Sequence, residues 1–137
     1  EAEMDFFLCE SPFLINTLSA DMAAHWSIAL GREPDRVRVK TQRLDRILDA
    51  RLPRDQPISF MSVDVEGHDL PVLCSNNWAA YRPEIVLVEH HVLEAASLAR
   101  SPISEFMASV DYAWCAWVGP TVIFRDRRRP EFRFSNE

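Results

Sequence analysis

Two short acidic clusters contain the residues whose types and spacing could do chemistry. The first is Asp64-Val65-Glu66-Gly67-His68-Asp69 and the second is Glu89-His90-His91. A carboxylate or a neutral imidazole can accept a proton from a hydroxyl group, and both can bind a divalent cation. The clusters therefore predict acid–base or metal chemistry, provided that the fold brings them together.

Two apolar runs predict the strands that position these clusters. Ile58 to Val65 is a near-continuous apolar run broken by small serines, which is typical of a parallel strand covered on both faces. Ile85 to Val88 is a second buried strand. Ligands of open α/β sheets bind beyond the carboxyl ends of the parallel strands. If the two strands are neighbours, we expect both clusters to line one crevice.

Several of these residues also have a purely structural explanation. Asp69 suits the N-cap of the helix that follows it, and Gly67 suits a tight turn. Asp64 lies at the tip of a buried strand, where a carboxylate is costly unless it is hydrogen-bonded or functional. His90 and His91 are neighbours on a strand, so at most one of them faces a given site, and either could be an ordinary surface histidine.

The same cluster raises the question of a metal ion. Asp64, Glu66, Glu89 and one histidine could supply oxygen and nitrogen ligands for a divalent cation. Their spacing along the chain matches no established metal motif, so we assign no metal ligand from the sequence.

Strands and helices alternate along the chain, which is typical of an α/β layer structure with a mostly parallel sheet. We expect residues 1–137 to form a single α/β domain. The other predicted elements are a strand from Met4 to Cys9, a helix from the N-cap Ser19 to Gly31, a strand from Arg36 to Lys40, a helix capped by Thr41, a helix that begins at Ser101-Pro102, and a C-terminal antiparallel hairpin of Tyr112 to Val118 and Thr121 to Arg125.

Composition excludes some classes of function. The formal net charge of -6 argues against a nucleic-acid binder that neutralises phosphates. No apolar run approaches the length of roughly 18 residues that crosses a bilayer, and we predict no membrane association. Cys9, Cys74 and Cys115 are an odd number without a C-x-x-C pair, so we expect reduced thiols in a cytoplasmic protein.

Six segments in order resemble the FkbM-type methyltransferases. The first has the pattern T-x-x-L-D-x-x-L, and the second contains the D-x-E-G turn of the first acidic cluster. The segments are Thr41 to Leu48, Phe60 to Gly67, Asp69 to Leu73, Asn76 to Trp78, Arg82 to Glu89 and Thr121 to Asp126. The resemblance covers roughly residues 36–126.

The resemblance implies a Rossmann-like class I methyltransferase sheet that uses S-adenosylmethionine. It implies methylation of a hydroxyl of a small-molecule or glycan acceptor, such as a sugar, a glycan or a natural product. Asp64, Val65 and Glu66 would lie at the cofactor. Glu66, Glu89 and His90 would be the catalytic residues on the acceptor side.

The chain departs from the family pattern in its glycines. The three glycines form no G-x-G, so we expect residues 1–137 to be the C-terminal portion of a methyltransferase domain that lacks the first strands. We expect these residues to bind S-adenosylmethionine weakly or not at all and to self-associate as a homo-oligomer through open strand edges. Two alternatives stay open, a non-catalytic remnant that serves as a binding module and a metal-dependent hydrolase.

Overall fold

A computed structural model describes residues 2–9, 16–53, 55–91 and 94–129 of the chain. Strands and helices alternate as the sequence predicts, with one additional short helix before the helix at Ser101-Pro102. The elements are β1 (Ala2–Leu8), α1 (Ala20–Leu30), β2 (Asp35–Thr41), α2 (Leu44–Arg51), β3 (Phe60–Val63), α3 (Asp69–Cys74), β4 (Ile85–Glu89), α4 (Ala95–Ala99), α5 (Pro102–Ser109), β5 (Tyr112–Val118) and β6 (Thr121–Asp126).

The strands form two sheets, and the prediction of a mostly parallel sheet was wrong for the described residues. β1 and β2 form an antiparallel pair, while the larger sheet has the strand order β3-β4-β6-β5. Among the described strands, only β3 and β4 pair in parallel, because β6 returns from the C-terminal hairpin and lies between β4 and β5, antiparallel to both. The predicted antiparallel hairpin is confirmed, and the architecture is a mixed α/β fold.

One face of the larger sheet packs against helices. Its alternate residues Val86, Val88, Val122 and Phe124 are almost completely buried, and the helices α3, α4 and α5 supply Leu73, Leu98 and Met107 to the same core. Phe60, in β3, is 66% exposed, so the prediction of a strand covered on both faces was wrong. β3 is also an edge strand, because it pairs only with β4 among the residues that the structure describes.

Local capping signals place three of the predicted helix ends correctly. The Ser19 hydroxyl accepts a hydrogen bond from the Met22 N–H at the start of α1, and Gly31 ends this helix in the left-handed conformation. The Ser101 hydroxyl accepts one from the Ser104 N–H, and Pro102 is the first residue of α5. These caps satisfy backbone groups that a helix leaves unpaired at its ends.

The predicted cap at Thr41 was wrong. Thr41 is the last residue of β2, and its hydroxyl donates to the Ala2 carbonyl at 3.2 Å. The N-cap residue of α2 is Arg43, which makes no side-chain capping bond. Instead, the Leu44 N–H donates to the Ser75 hydroxyl at 2.9 Å, so a residue at the end of α3 satisfies the start of α2.

A buried ion pair joins the start of β4 to the end of β6. The Arg82 Nη2 lies 2.5 Å from the Asp126 Oδ1, and the two side chains are only 14% and 4% exposed. Arg82 also donates to the carbonyls of Trp78 and Val110, and its guanidinium lies over the Tyr112 ring. This network fixes the sheet at the end opposite to the acidic clusters.

In the described part of the chain, no helix has the length and apolar character needed to cross a membrane.

Candidate functional site

The two acidic clusters meet at the carboxyl ends of the parallel strands. Val63 and Val88 are paired residues of β3 and β4, and Asp64 and Glu89 directly follow them in the chain. One carboxylate oxygen from each of Asp64, Glu66 and Glu89 lies within 4.8 Å of the other two. The prediction that both clusters line one crevice is therefore confirmed.

The turn after β3 holds two successive residues in the left-handed region. Glu66 has a φ of 50° and Gly67 has a φ of 91°. A side chain at the second position would be crowded, since an added Cβ would lie 3.0 Å from the Met22 Cγ. A left-handed conformation at a residue other than glycine is strained, and such strain is common at functional sites.

Asp69 supports this turn from inside the fold. Its carboxylate, on a residue only 5% exposed, accepts hydrogen bonds from the N–H groups of Val65 and Gly67, both at 3.3 Å. Asp69 was predicted to be the N-cap of α3, but the N-cap position is His68 and Asp69 is the first helical residue. Its carboxylate therefore points back into the turn and stabilises the turn. Burial raises the pKa of Asp69, although these hydrogen bonds oppose the rise.

Burial, together with the crowding of carboxylates, raises the pKa values of Glu66 and Glu89. Burial raises the pKa of Glu66, and the negative charge of Asp64 adds to the rise. Burial, the charge of Asp64 and a hydrogen bond with Asp64 raise the pKa of Glu89, while His91 opposes this. Both groups thus hold a proton more tightly than an exposed glutamate does, which favours a role in proton transfer.

Both histidines of the second cluster line the same cavity, which the strand periodicity did not predict. The cavity has a volume of about 250 Å³, and Glu66, Glu89, His90 and His91 are among its lining residues. β4 ends at Glu89, so the alternation of a strand no longer separates the two histidines. The His91 Nε2 lies 3.3 Å from a Glu89 oxygen.

His90 is the better placed of the two to accept a proton. Its Nε2 atom is buried and has no hydrogen-bond partner among the residues that the structure describes. Burial lowers the pKa of His90, although the nearby Asp69 carboxylate opposes this. The imidazole is therefore neutral at neutral pH, which is the state that accepts a proton.

The other side of the turn borders a second cavity. Val65 and His68 line this cavity of about 410 Å³, together with residues of β1, the β2–α2 connection and α3. Val65 thus contacts a different space from Glu66, although the two residues are adjacent in the chain. The predicted cofactor residues Asp64, Val65 and Glu66 are close together, but they do not all line one cavity.

Thr17 and Met22 also belong to the surroundings of the turn, although no sequence pattern indicates this. Met22 lines the cavity of Glu66, and the Thr17 hydroxyl donates to the Glu66 carbonyl at 2.5 Å. The two residues of this bond are 49 positions apart in the sequence, so no local pattern could indicate it.

The carboxylates of Asp64, Glu66 and Glu89 could also coordinate a divalent cation. Their oxygens are close enough to share one ion, and hard cations prefer oxygen ligands. Asp64 is exposed, however, and acidic groups at a surface commonly converge without a metal. The geometry alone therefore assigns no ion to this site.

The chain belongs to a known family of transferases. The family model of the methyltransferase FkbM domain matches residues 5–112, which is more than half of the chain and includes both acidic clusters. The resemblance seen in the sequence segments is thereby confirmed, and the chain is a member of the FkbM methyltransferase family. No curated protein and no solved structure matches it significantly.

Proposed function

We propose that this chain is the acceptor-side part of an S-adenosylmethionine-dependent O-methyltransferase. The observation that carries the proposal is the convergence of Asp64, Glu66 and Glu89 with a neutral histidine at the ends of two adjacent parallel strands. The acceptor class is a hydroxyl of a sugar, a glycan or a natural product, in keeping with the family.

The acidic cluster suits the charge of such a cofactor. S-adenosylmethionine supplies an electrophilic methyl group on a positively charged sulfur, and its amino group is also cationic. Asp64 and Glu66 would lie at this positive charge, where carboxylates stabilise it. No glycine-rich loop occurs among the described residues, so we expect the chain to bind the cofactor more weakly than micromolar.

The residues of the second cluster would handle the proton of the acceptor. A hydroxyl group becomes a better nucleophile when a base within hydrogen-bonding distance takes its proton. His90 offers an unpartnered, neutral nitrogen, and Glu89 lies beside it at the end of β4. We therefore assign proton acceptance to His90 and orientation of the acceptor hydroxyl to Glu89 and Glu66.

A methyl-transfer assay tests the proposal. The chain is incubated with millimolar S-adenosylmethionine carrying a labelled methyl group, so that weak binding does not mask turnover, and with a panel of sugars, glycans and polyketide-type alcohols. We expect labelled product, and we expect Glu89→Gln or His90→Gln to lower the rate by about 10²- to 10⁴-fold, the usual contribution of acid–base catalysis. Glu84→Gln is the control, because Glu84 pairs with Arg129 outside the cluster and should leave the rate unchanged.

The same assay separates the alternatives. A non-catalytic remnant would transfer no label to any acceptor at any cofactor concentration. A metal-dependent enzyme would lose activity in a chelator and regain it with magnesium or manganese. The proposal is supported if the wild-type chain forms product both with a chelator and with added metal. It also requires that the variants of the cluster lose this product under both conditions.

A further inference from the structure

We propose that Thr17 is a positioning residue for Glu66. Thr17 holds the strained turn in the conformation that places the Glu66 carboxylate in the acidic cluster. The inference rests on the proposed function only in giving Glu66 a role at the reacting centre. The geometric claim, that Thr17 sets the position of this carboxylate, is tested separately.

The Thr17 side chain is fixed on every side. The residue is only 1% exposed, and its hydroxyl donates to the Glu66 carbonyl at 2.5 Å. The hydroxyl oxygen also accepts a hydrogen bond from the Ser19 N–H at 2.9 Å. Because this N–H approaches the oxygen from the start of α1, the single hydroxyl proton is directed toward Glu66.

The backbone of Thr17 is anchored independently of the turn. Its N–H donates to the Phe7 carbonyl at 3.1 Å, and its carbonyl accepts from the Phe7 N–H at 2.8 Å. Phe7 belongs to β1, which pairs along its length with β2. The hydroxyl therefore projects from a rigid support and can hold a strained partner in place.

The turn needs such support because Glu66 adopts a φ of 50°. A left-handed residue other than glycine relaxes to a right-handed or extended conformation unless its surroundings prevent it. Asp69 restrains the turn through the N–H groups on either side of Glu66, and Thr17 restrains it through the Glu66 carbonyl. Ser19 and Met22 complete the contact, because they pack against Gly67.

Release of the Thr17 hydrogen bond should therefore let Glu66 rotate away from Asp64 and Glu89. The pKa of Glu66 is raised by burial and by the charge of Asp64, so it reports the position of the carboxylate. A residue that only stabilises the fold would not change this pKa while the protein remains folded. The titration of Glu66 is thus a specific measure of positioning.

The test is a titration of the Glu66 carboxyl by carbon NMR in the full chain, assigned with Glu66→Gln. Thr17→Val removes the hydroxyl and keeps the side-chain shape, and we expect the Glu66 midpoint to fall toward about 4.3, the ordinary value of a glutamate. Thr17→Ser keeps the hydroxyl and should restore the raised midpoint. Thr41→Val is the matched control, because the Thr41 hydroxyl likewise donates to a distant carbonyl, that of Ala2, and makes no hydrogen bond to Glu66.

If Thr17→Val does not fold, Thr17→Ala replaces it, because alanine also removes the hydroxyl and places no second methyl group against the Glu66 carbonyl. An unchanged Glu66 midpoint in a folded variant without the hydroxyl overturns the proposal. A fall of equal size in Thr41→Val overturns it as well, since the effect would then be a general loosening of the fold.

The methyl-transfer assay distinguishes a failure of positioning from a failure of the proposed function. If the wild-type chain transfers no methyl group but Thr17→Val lowers the Glu66 midpoint, the proposed function fails and the role of Thr17 stands. If the wild-type chain is active and Thr17→Val changes neither the midpoint nor the rate, the role of Thr17 fails and the function stands. We expect a lower midpoint together with a lower kcat.

Discussion

Replacement of Glu89 by glutamine should stabilise the protein, because it removes one of three carboxylates that converge at a single point. Each pair has oxygens within 4.8 Å of one another, and two full charges at that separation repel by about 3 kcal/mol at an effective dielectric constant of 20. Asp64 is exposed and the His91 side chain lies beside Glu89, so solvent and this neighbour reduce the repulsion. We expect Glu89→Gln to raise the free energy of unfolding by about 1 to 2 kcal/mol at pH 8.

The stabilisation should depend on pH with a definite sign. The pKa of Glu89 is raised in the folded state, so the folded protein binds this proton more tightly than the unfolded chain does. Below about pH 4.3, the ordinary pKa of glutamate, both states are protonated and the substitution should have little effect. As the pH rises through the folded-state pKa, Glu89 of the wild-type protein loses its proton, and the stability that came from binding this proton more tightly in the folded state is lost. The glutamine variant has no such proton and keeps its stability.

Urea unfolding in the presence of a chelator, at pH 4 and at pH 8, measures the effect. Glu84→Gln is the control with the opposite sign, because Glu84 precedes the same strand and lies 2.7 Å from the Arg129 guanidinium. Loss of this ion pair in Glu84→Gln should leave the free energy of unfolding unchanged or lower it by less than about 1 kcal/mol. A gain for Glu89→Gln that is equal at both pH values, or no gain at pH 8, would refute the reasoning from carboxylate repulsion.

Three further substitutions have expected outcomes that the same unfolding assay checks. Asp126→Asn should destabilise the protein by about 3 to 5 kcal/mol, since it leaves the Arg82 charge buried without its partner; an effect below 1 kcal/mol would contradict this. Gly67→Ala should cost about 1 to 3 kcal/mol, because the new Cβ would meet Met22, and it should cost more than Gly119→Ala, where the space is open. Ser101→Ala should cost about 1 kcal/mol, and no change would show that its bond to the Ser104 N–H does not cap α5.

The features that the sequence predicts correctly depend on neighbours in the chain. Ser19 and Ser101 lie directly before apolar helical segments, and Gly31 lies directly after one, so their capping roles follow from local chemistry. The parallel pairing of β3 and β4 follows from two apolar runs joined by a helix. The convergence of Asp64 and Glu89 follows in turn, because residues that end adjacent parallel strands lie at one edge of the sheet.

The features that the sequence does not predict depend on contacts between distant segments. The cap of α2 comes from Ser75, which lies 31 positions away, and the nearby Thr41 is held in a strand instead. The place of β6 between β4 and β5 is a matter of strand order, which the alternation of residues in β6 cannot specify. The support of Glu66 by Thr17 likewise crosses 49 positions.

The insertion of β6 beside β4 also decides which loop lies next to the second acidic cluster. Because β6 runs antiparallel to β4, its first residue, Thr121, pairs with Glu89, and the Pro120 carbonyl accepts a hydrogen bond from the His90 N–H at 2.6 Å. The tip of the β5–β6 hairpin thus contacts Glu89 and His90, two residues that line the cavity. Hairpin tips tolerate insertions and exchanges that strands do not. We therefore expect exchanges at residues 118–120 to alter the surroundings of His90, while the carboxylates of Asp64, Glu66 and Glu89 keep their places.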